Sequence, residues 1–170
     1  MIQAHDEIRE ILRKAYQIEV DGYTFYSLAA DRSDKPAVQE LFGKLARDEV
    51  EHQTYLKGIL RSYDEQGLAA FRGDRHAPDL RAFSSKVFTE AFKQQAHGAA
   101  FEMGVLSIGM QLESRAVSFF NQAATQAGDV GVRDFYRFLA DWEKEHFDAL
   151  QSLYDGVRQD FWADGRFAPF

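Results

Sequence analysis

The chain has 170 residues, a formal net charge of −7 and no cysteine. The length suits one domain with a sizeable core, and the acidic balance argues against nucleic acid or an anionic membrane as partner. Without Cys there can be no disulfide, thiolate zinc site, iron–sulfur cluster or thiol catalysis in these residues.

With 3 Pro in the whole chain, long uninterrupted helices are expected. The first helix is expected over about residues 6–32, where Ile8, Ile11, Leu12, Ala15, Ile18, Gly22, Phe25, Tyr26 and Ala29 recur at three-and-four spacing. Ser33 or Asp34 should cap the second helix, with Pro36 in its first turn. That helix runs to about residue 66 on a stripe that includes Val38, Leu41, Phe42, Leu45, Leu56 and Tyr63. Residues 67–98 break the pattern with Gly67, Gly73, Pro78 and Gly98. A structureless loop of that length is unusual inside a compact domain, so a crossover carrying one short helix around Val87–Phe92 is expected. The third helix covers about residues 99–127, and Gly128 and Asp129 end it and cap a fourth that runs to about residue 158. The aromatic tail, residues 159–170, is expected to pack on the bundle or on a partner. The N-terminus, MIQAHDEIRE, lacks the apolar core of a signal peptide, and no run of about 18 apolar residues occurs, so a cytoplasmic protein is expected.

The two hairpins repeat each other. Residues 16–26, YQIEVDGYTFY, match residues 110–120, MQLESRAVSFF, and residues 45–52, LARDEVEH, match residues 139–146, LADWEKEH, at the same offset of 94. Each copy holds a Glu and, 30 residues later, a Glu-x-x-His: Glu19 with Glu49 and His52, then Glu113 with Glu143 and His146. The midpoints of the two Glu pairs, residues 34 and 128, fall in the two turns, so each hairpin brings its Glu and its Glu-x-x-His to one height. Glu49 and His52, three apart, share a helix face that Leu45 and Leu56 continue.

A Glu is rarely buried unpaired, and four converging carboxylates repel. Two divalent ions would balance four negative charges. Four Glu and two His between four helices are a donor set for two metal ions. Oxygen and imidazole donors suit iron or manganese, and zinc less specifically.

Other residues carry weaker signals. Tyr26 lies seven after Glu19 on the same face and could hydrogen-bond a ligand carboxylate, shuttle an electron, or simply fill the core. Tyr16 is a weaker candidate of the same kind. Asp48 could hold the second nitrogen of a ligand His on another helix, or be a solvated Asp; its repeat counterpart is Trp142. His5, His76 and His97 fall outside the constellation and read as surface residues, and Glu51 and Glu145 read as solvated.

The set Glu19, Glu49-x-x-His52, Glu113 and Glu143-x-x-His146 resembles the di-iron carboxylate site of ferritin-like proteins, bacterioferritin included. The phrasing EVDGYTFY and DEVEH is most similar to the rubrerythrin group, over about residues 6–158. The resemblance implies an all-α, ferritin-like four-helix bundle, up-down-down-up, with the long crossover between the second and third helices. It implies two iron ions per chain, with Glu49 and Glu143 bridging and Glu19, Glu113, His52 and His146 terminal. It also implies an oxidoreductase that reacts with hydrogen peroxide or dioxygen using an external electron donor, in a homodimer that could exchange hairpins through the crossover. The alternatives are iron oxidation or storage, and a metal-stapled bundle that binds a partner. Two departures stand out. Rubrerythrins proper carry a Cys-ligated rubredoxin domain, and this chain has no Cys. They also carry an extra Glu one turn after the third-helix ligand, where this chain has Ala116, with Gly22 as its counterpart after Glu19. Ligand switching of the rubrerythrin kind is therefore not expected.

Overall fold

The computed structural model describes residues 2–72, 92, 95 and 100–164. Four α-helices are present among them: α1 Ile2–Arg32, α2 Pro36–Gln66, α3 Ala100–Gln126 and α4 Val130–Asp164, with a 3₁₀ turn at Gly67–Phe71. There is no strand among the described residues. The family of architectures is therefore the expected all-α four-helix bundle.

Local chemistry sets the helix ends. Pro36 is the first residue of α2, where its missing N–H has no intrahelical partner to lose. A residue before proline is pushed out of the helical region, and Lys35 is extended at φ −101 and ψ 116. The N-cap is thus Lys35, not Ser33 or Asp34 as expected. Ser33 serves the turn instead, its Oγ accepting the Lys35 N–H at 3.2 Å. Gly67 closes α2 at φ +59, and its N–H bonds the Tyr63 carbonyl. The expected Asp129 cap is present: its Oδ1 accepts the Val132 N–H at 3.1 Å. The outer helices run longer than expected, α1 from Ile2 and α4 to Asp164.

α1 and α2 form one antiparallel hairpin, with Arg9 near the start of α1 paired to Asp64 near the end of α2 at 2.5 Å. α3 and α4 form the other. Lys35 in the first turn pairs with Glu102, near the start of α3, at 2.9 Å. Ala123, near the end of α3, lies beside Ile8 and Ile11 of α1. α3 therefore runs antiparallel to α1, and the end of α2 and the start of α3 lie at opposite ends of the bundle. This is the up-down-down-up order. The short helix expected at Val87–Phe92 lies outside the described residues except for Phe92, which is buried. Residues 165–170 of the tail also lie outside them.

Two apolar clusters fill the interior. One contains Leu12, Leu56, Phe120, Phe135 and Leu139; the other contains Leu41, Phe42, Leu106 and Leu150. Each helix passes from one cluster to the other across a single polar rung. On α1 the rung is Glu19, on α2 Glu49 and His52, on α3 Glu113, and on α4 Glu143 and His146. Among the described residues no helix is long and apolar enough to cross a membrane.

Candidate metal centre

The repeated residues meet in the middle of the bundle. Glu19, Glu49, Glu113 and Glu143 are each no more than 3% exposed, and both His52 and His146 are 0% exposed. His52 Nδ1 lies 3.0 Å from Glu19 Oε2 and 3.2 Å from Glu49 Oε2. It is 3.6 Å from Glu143 Oε1, which belongs to the other hairpin. His146 Nδ1 lies 3.8 Å from Glu113 Oε1 in its own hairpin and 3.7 Å from Glu49 Oε1 across the divide. The two imidazoles stack 5.1 Å apart and 7° from parallel.

Three overlapping groups offer donor atoms within 4.8 Å of one another: Glu49, His52 and His146; Glu19, His52 and Glu143; and Glu113, Glu143 and His146. All six residues belong to at least one group. Glu49 and Glu143 are the carboxylates that reach the opposite hairpin's His, while Glu19 and Glu113 stand beside the His of their own.

Burial dominates the electrostatics of the cluster, with the charges and hydrogen bonds of its members second. Burial pushes Glu49 and Glu113 up to about 8. It also raises Glu143, with the charges of Glu19, Glu113 and Glu49 adding to it. Burial pulls His52 down, but its hydrogen bonds to Glu19 and Glu49 outweigh that and lift it to about 10. His146 is lowered, first by burial and then by the charge of His52.

Buried polar atoms in proteins are nearly always hydrogen-bonded. Here Glu19 Oε1, Glu143 Oε1 and His52 Nε2 are buried and make no hydrogen bond. Unmet donor atoms, converging carboxylates and imidazoles are what a pair of divalent ions would satisfy, in bonding and in charge. The residues fit such a group.

Tyr26 is fully buried, and its hydroxyl donates to Glu113 Oε1. Burial, then the Glu113 charge, raises its own pKa. Tyr16 meets Gln53 at 3.4 Å instead of a Glu of the cluster. Asp48 is buried, which raises it to about 6 against the lowering charges of Lys44 and His52. Its Oδ2 makes no hydrogen bond, and the structure gives it none to either His.

Two residues that the repeat placed only as counterparts, Trp142 of Asp48 and Gly22 of Ala116, touch the cluster directly. Trp142 packs its ring 3.8 Å from the His52 ring and stands edge-on to Tyr55 at 5.5 Å, closing the imidazole side with an aromatic wall. Its signals in the sequence are its place immediately before Glu143 and its correspondence to Asp48 in the repeat. Gly22 lies against Glu49: a Cβ there would sit 3.0 Å from Glu49 Oε1 and 3.1 Å from its Cδ. A glycine inside a long helix, three residues after a candidate ligand, was the available clue.

The model of the Rubrerythrin family matches residues 10–154 of the chain. No curated protein and no solved structure matches it.

Proposed function

The chain belongs to the rubrerythrin family, and from that membership we propose that it is a di-iron oxidoreductase that reduces hydrogen peroxide or dioxygen with electrons from an external donor. The observation that supports this most is the set of buried donor atoms with no hydrogen bond, on residues whose groups overlap pairwise between the hairpins. Glu49 and Glu143, each near the opposite hairpin's His, suit bridging positions. Glu19 with His52, and Glu113 with His146, suit the two terminal positions.

Iron held in this set would supply one electron from each ion toward cleavage of an O–O bond. The chain's own residues do the rest. Four carboxylates offset the ionic charge inside a buried space. Tyr26 orients Glu113 through its hydroxyl. Trp142 and the two apolar clusters keep water from the imidazole side. Reduction of hydrogen peroxide consumes two electrons and two protons and yields two waters. These 170 residues hold no Cys, so the reading assigns the electrons to a donor outside them.

The test is anaerobic loading with ferrous iron, removal of excess, and rapid mixing with hydrogen peroxide or dioxygen in separate runs. Two irons per chain should be retained and oxidised. Two retained irons that neither oxidant oxidises within minutes would overturn the reading.

A further inference from the structure

Gly22 and Ala116 are repeat counterparts, each three residues after a Glu of the centre. Both are small, both are buried, and both line the same gap between α1 and α3. That gap is a cleft of about 290 Å³. Its floor is Glu19, Glu49, Glu113 and Glu143. Its walls are Ile18, Leu112 and Phe119, and the exposed Asp21 and Arg115 stand at its rim. Neither His lines it. The centre is thus closed on its imidazole side by Trp142 and open on its carboxylate side.

The cleft is larger than the smallest oxidants need. A water occupies about 30 Å³ in the liquid, and hydrogen peroxide or dioxygen is not much larger. Ligand pockets begin at about 300 Å³. The surplus space is bounded by aliphatic and aromatic side chains, which gain by covering an apolar group. A carboxylate floor under an apolar wall suits a molecule with a polar, oxidising head and a hydrocarbon body.

We propose that this cleft is the oxidant's binding pocket and that it takes alkyl hydroperoxides, with the peroxide group at the carboxylate floor and the alkyl group against Ile18, Leu112 and Phe119. The proposal rests on the di-iron reading above and adds the substrate class. The change is balanced: the O–O bond breaks, two electrons from the external reductant and two protons from solvent are taken up, and an alcohol and a water leave. Ala116 sets the width of the pocket and Phe119 its depth.

Two measurements test it. In the first, the zinc-loaded full chain, which is redox-inert, is titrated with cumyl alcohol, the unreactive product of cumene hydroperoxide, and backbone amide shifts are followed by NMR. Saturable shifts at Gly22 and Ala116, lost in Ala116→Leu, are expected. In the second, the iron-loaded chain is mixed with cumene hydroperoxide or hydrogen peroxide, and the ratio of the two rate constants is compared between variants. Ala116→Leu should lower the organic-to-inorganic ratio at least tenfold. Phe119→Ala, which enlarges the pocket, should raise it, and carries the test if Ala116→Leu does not fold. No saturable shift, or a ratio unchanged in both variants, overturns the pocket while oxidation by hydrogen peroxide leaves the di-iron reading standing. Two bound irons inert to both oxidants remove that reading and the proposal with it, even if the alcohol binds.

Discussion

Tyr26 on α1 donates its hydroxyl hydrogen to Glu113 Oε1 on α3, joining the two helices that flank the open side of the centre. The ring is held independently, stacked on Phe42 at 6.2 Å and 9°, so the hydroxyl can be removed without emptying the core. The bond lowers the Glu113 pKa, against the burial that raises it.

Tyr26→Phe should therefore leave Glu113 more firmly protonated and weaken metal binding. Loss of a partner that orients a metal ligand typically costs about 10–100-fold in affinity. The loss should shrink only as pH rises past the variant's Glu113 pKa, which lies above the parent's value of about 8, because both proteins then carry the carboxylate. Chelator-competition titrations with zinc at pH 7 and pH 9 measure both effects. Equal affinities at pH 7 would remove Tyr26 from the site's machinery and leave it a core residue.

Much of the centre was legible because a repeat carries its own control. Glu19, Glu49, His52, Glu113, Glu143 and His146 stand at matched positions in two hairpins, and the turns at residues 34 and 128 bring each trio level. What was not legible depends on how one hairpin is rotated against the other. The Trp142 ring meets His52 of the opposite hairpin, and no spacing within α4 announces that contact. Asp48 illustrates the same limit: its place beside Glu49 suggested a hydrogen bond to a His of another helix, but its buried Oδ2 makes no hydrogen bond and the His that acts on its charge is His52 of its own helix. The α2 cap moved to Lys35 for a local reason, the extended backbone that Pro36 imposes on its predecessor.

Gly22→Ala separates folding from metal binding. Ala in a helix interior is favoured over Gly by about 0.8–1 kcal/mol. The new Cβ, however, falls 3.0 Å from Glu49 Oε1, so the carboxylate must move by a few tenths of an ångström. The metal-free variant should melt no lower than the parent, while its metal affinity falls. Thermal denaturation without metal and calorimetric titration with zinc check the two halves. A variant with undiminished zinc affinity would show that the Glu49 position is not critical.

Glu49→Gln combined with Glu143→Gln tests the bridging assignment. Burial raises both carboxyls well above their usual range, so a neutral side chain of nearly the same shape removes charge that the interior resists. The metal-free double variant should be at least as stable as the parent at pH 8. It should also retain fewer than two zinc ions per chain after gel filtration. Elemental analysis showing two retained ions would exclude these residues from the donor set.

The metal-free chain should lose stability as pH rises from about 6.5 to 8. Glu49 and Glu113 are raised from 4.5 to about 8 and Glu143 shifts the same way. Between those values the folded chain keeps protons that the unfolded chain releases, and stability falls with pH. His52, raised from 6.5 to about 10, adds the same sign above 6.5. His146 is lowered, so below about 6.5 the unfolded chain takes up a proton that the folded one refuses, and this contribution rises with pH. The groups therefore act together only above that point. A full proton's difference is worth about 1.4 kcal/mol per pH unit, enough for a few sites to dominate the profile. Bound metal displaces these protons, so the loaded protein should show little of the trend and should bind metal more tightly as pH rises. Chemical denaturation of metal-free and zinc-loaded protein at pH 6.5, 7.25 and 8.0 measures it. A metal-free profile that is flat or rising across that window would mean the buried carboxyls are not protonated in the folded chain.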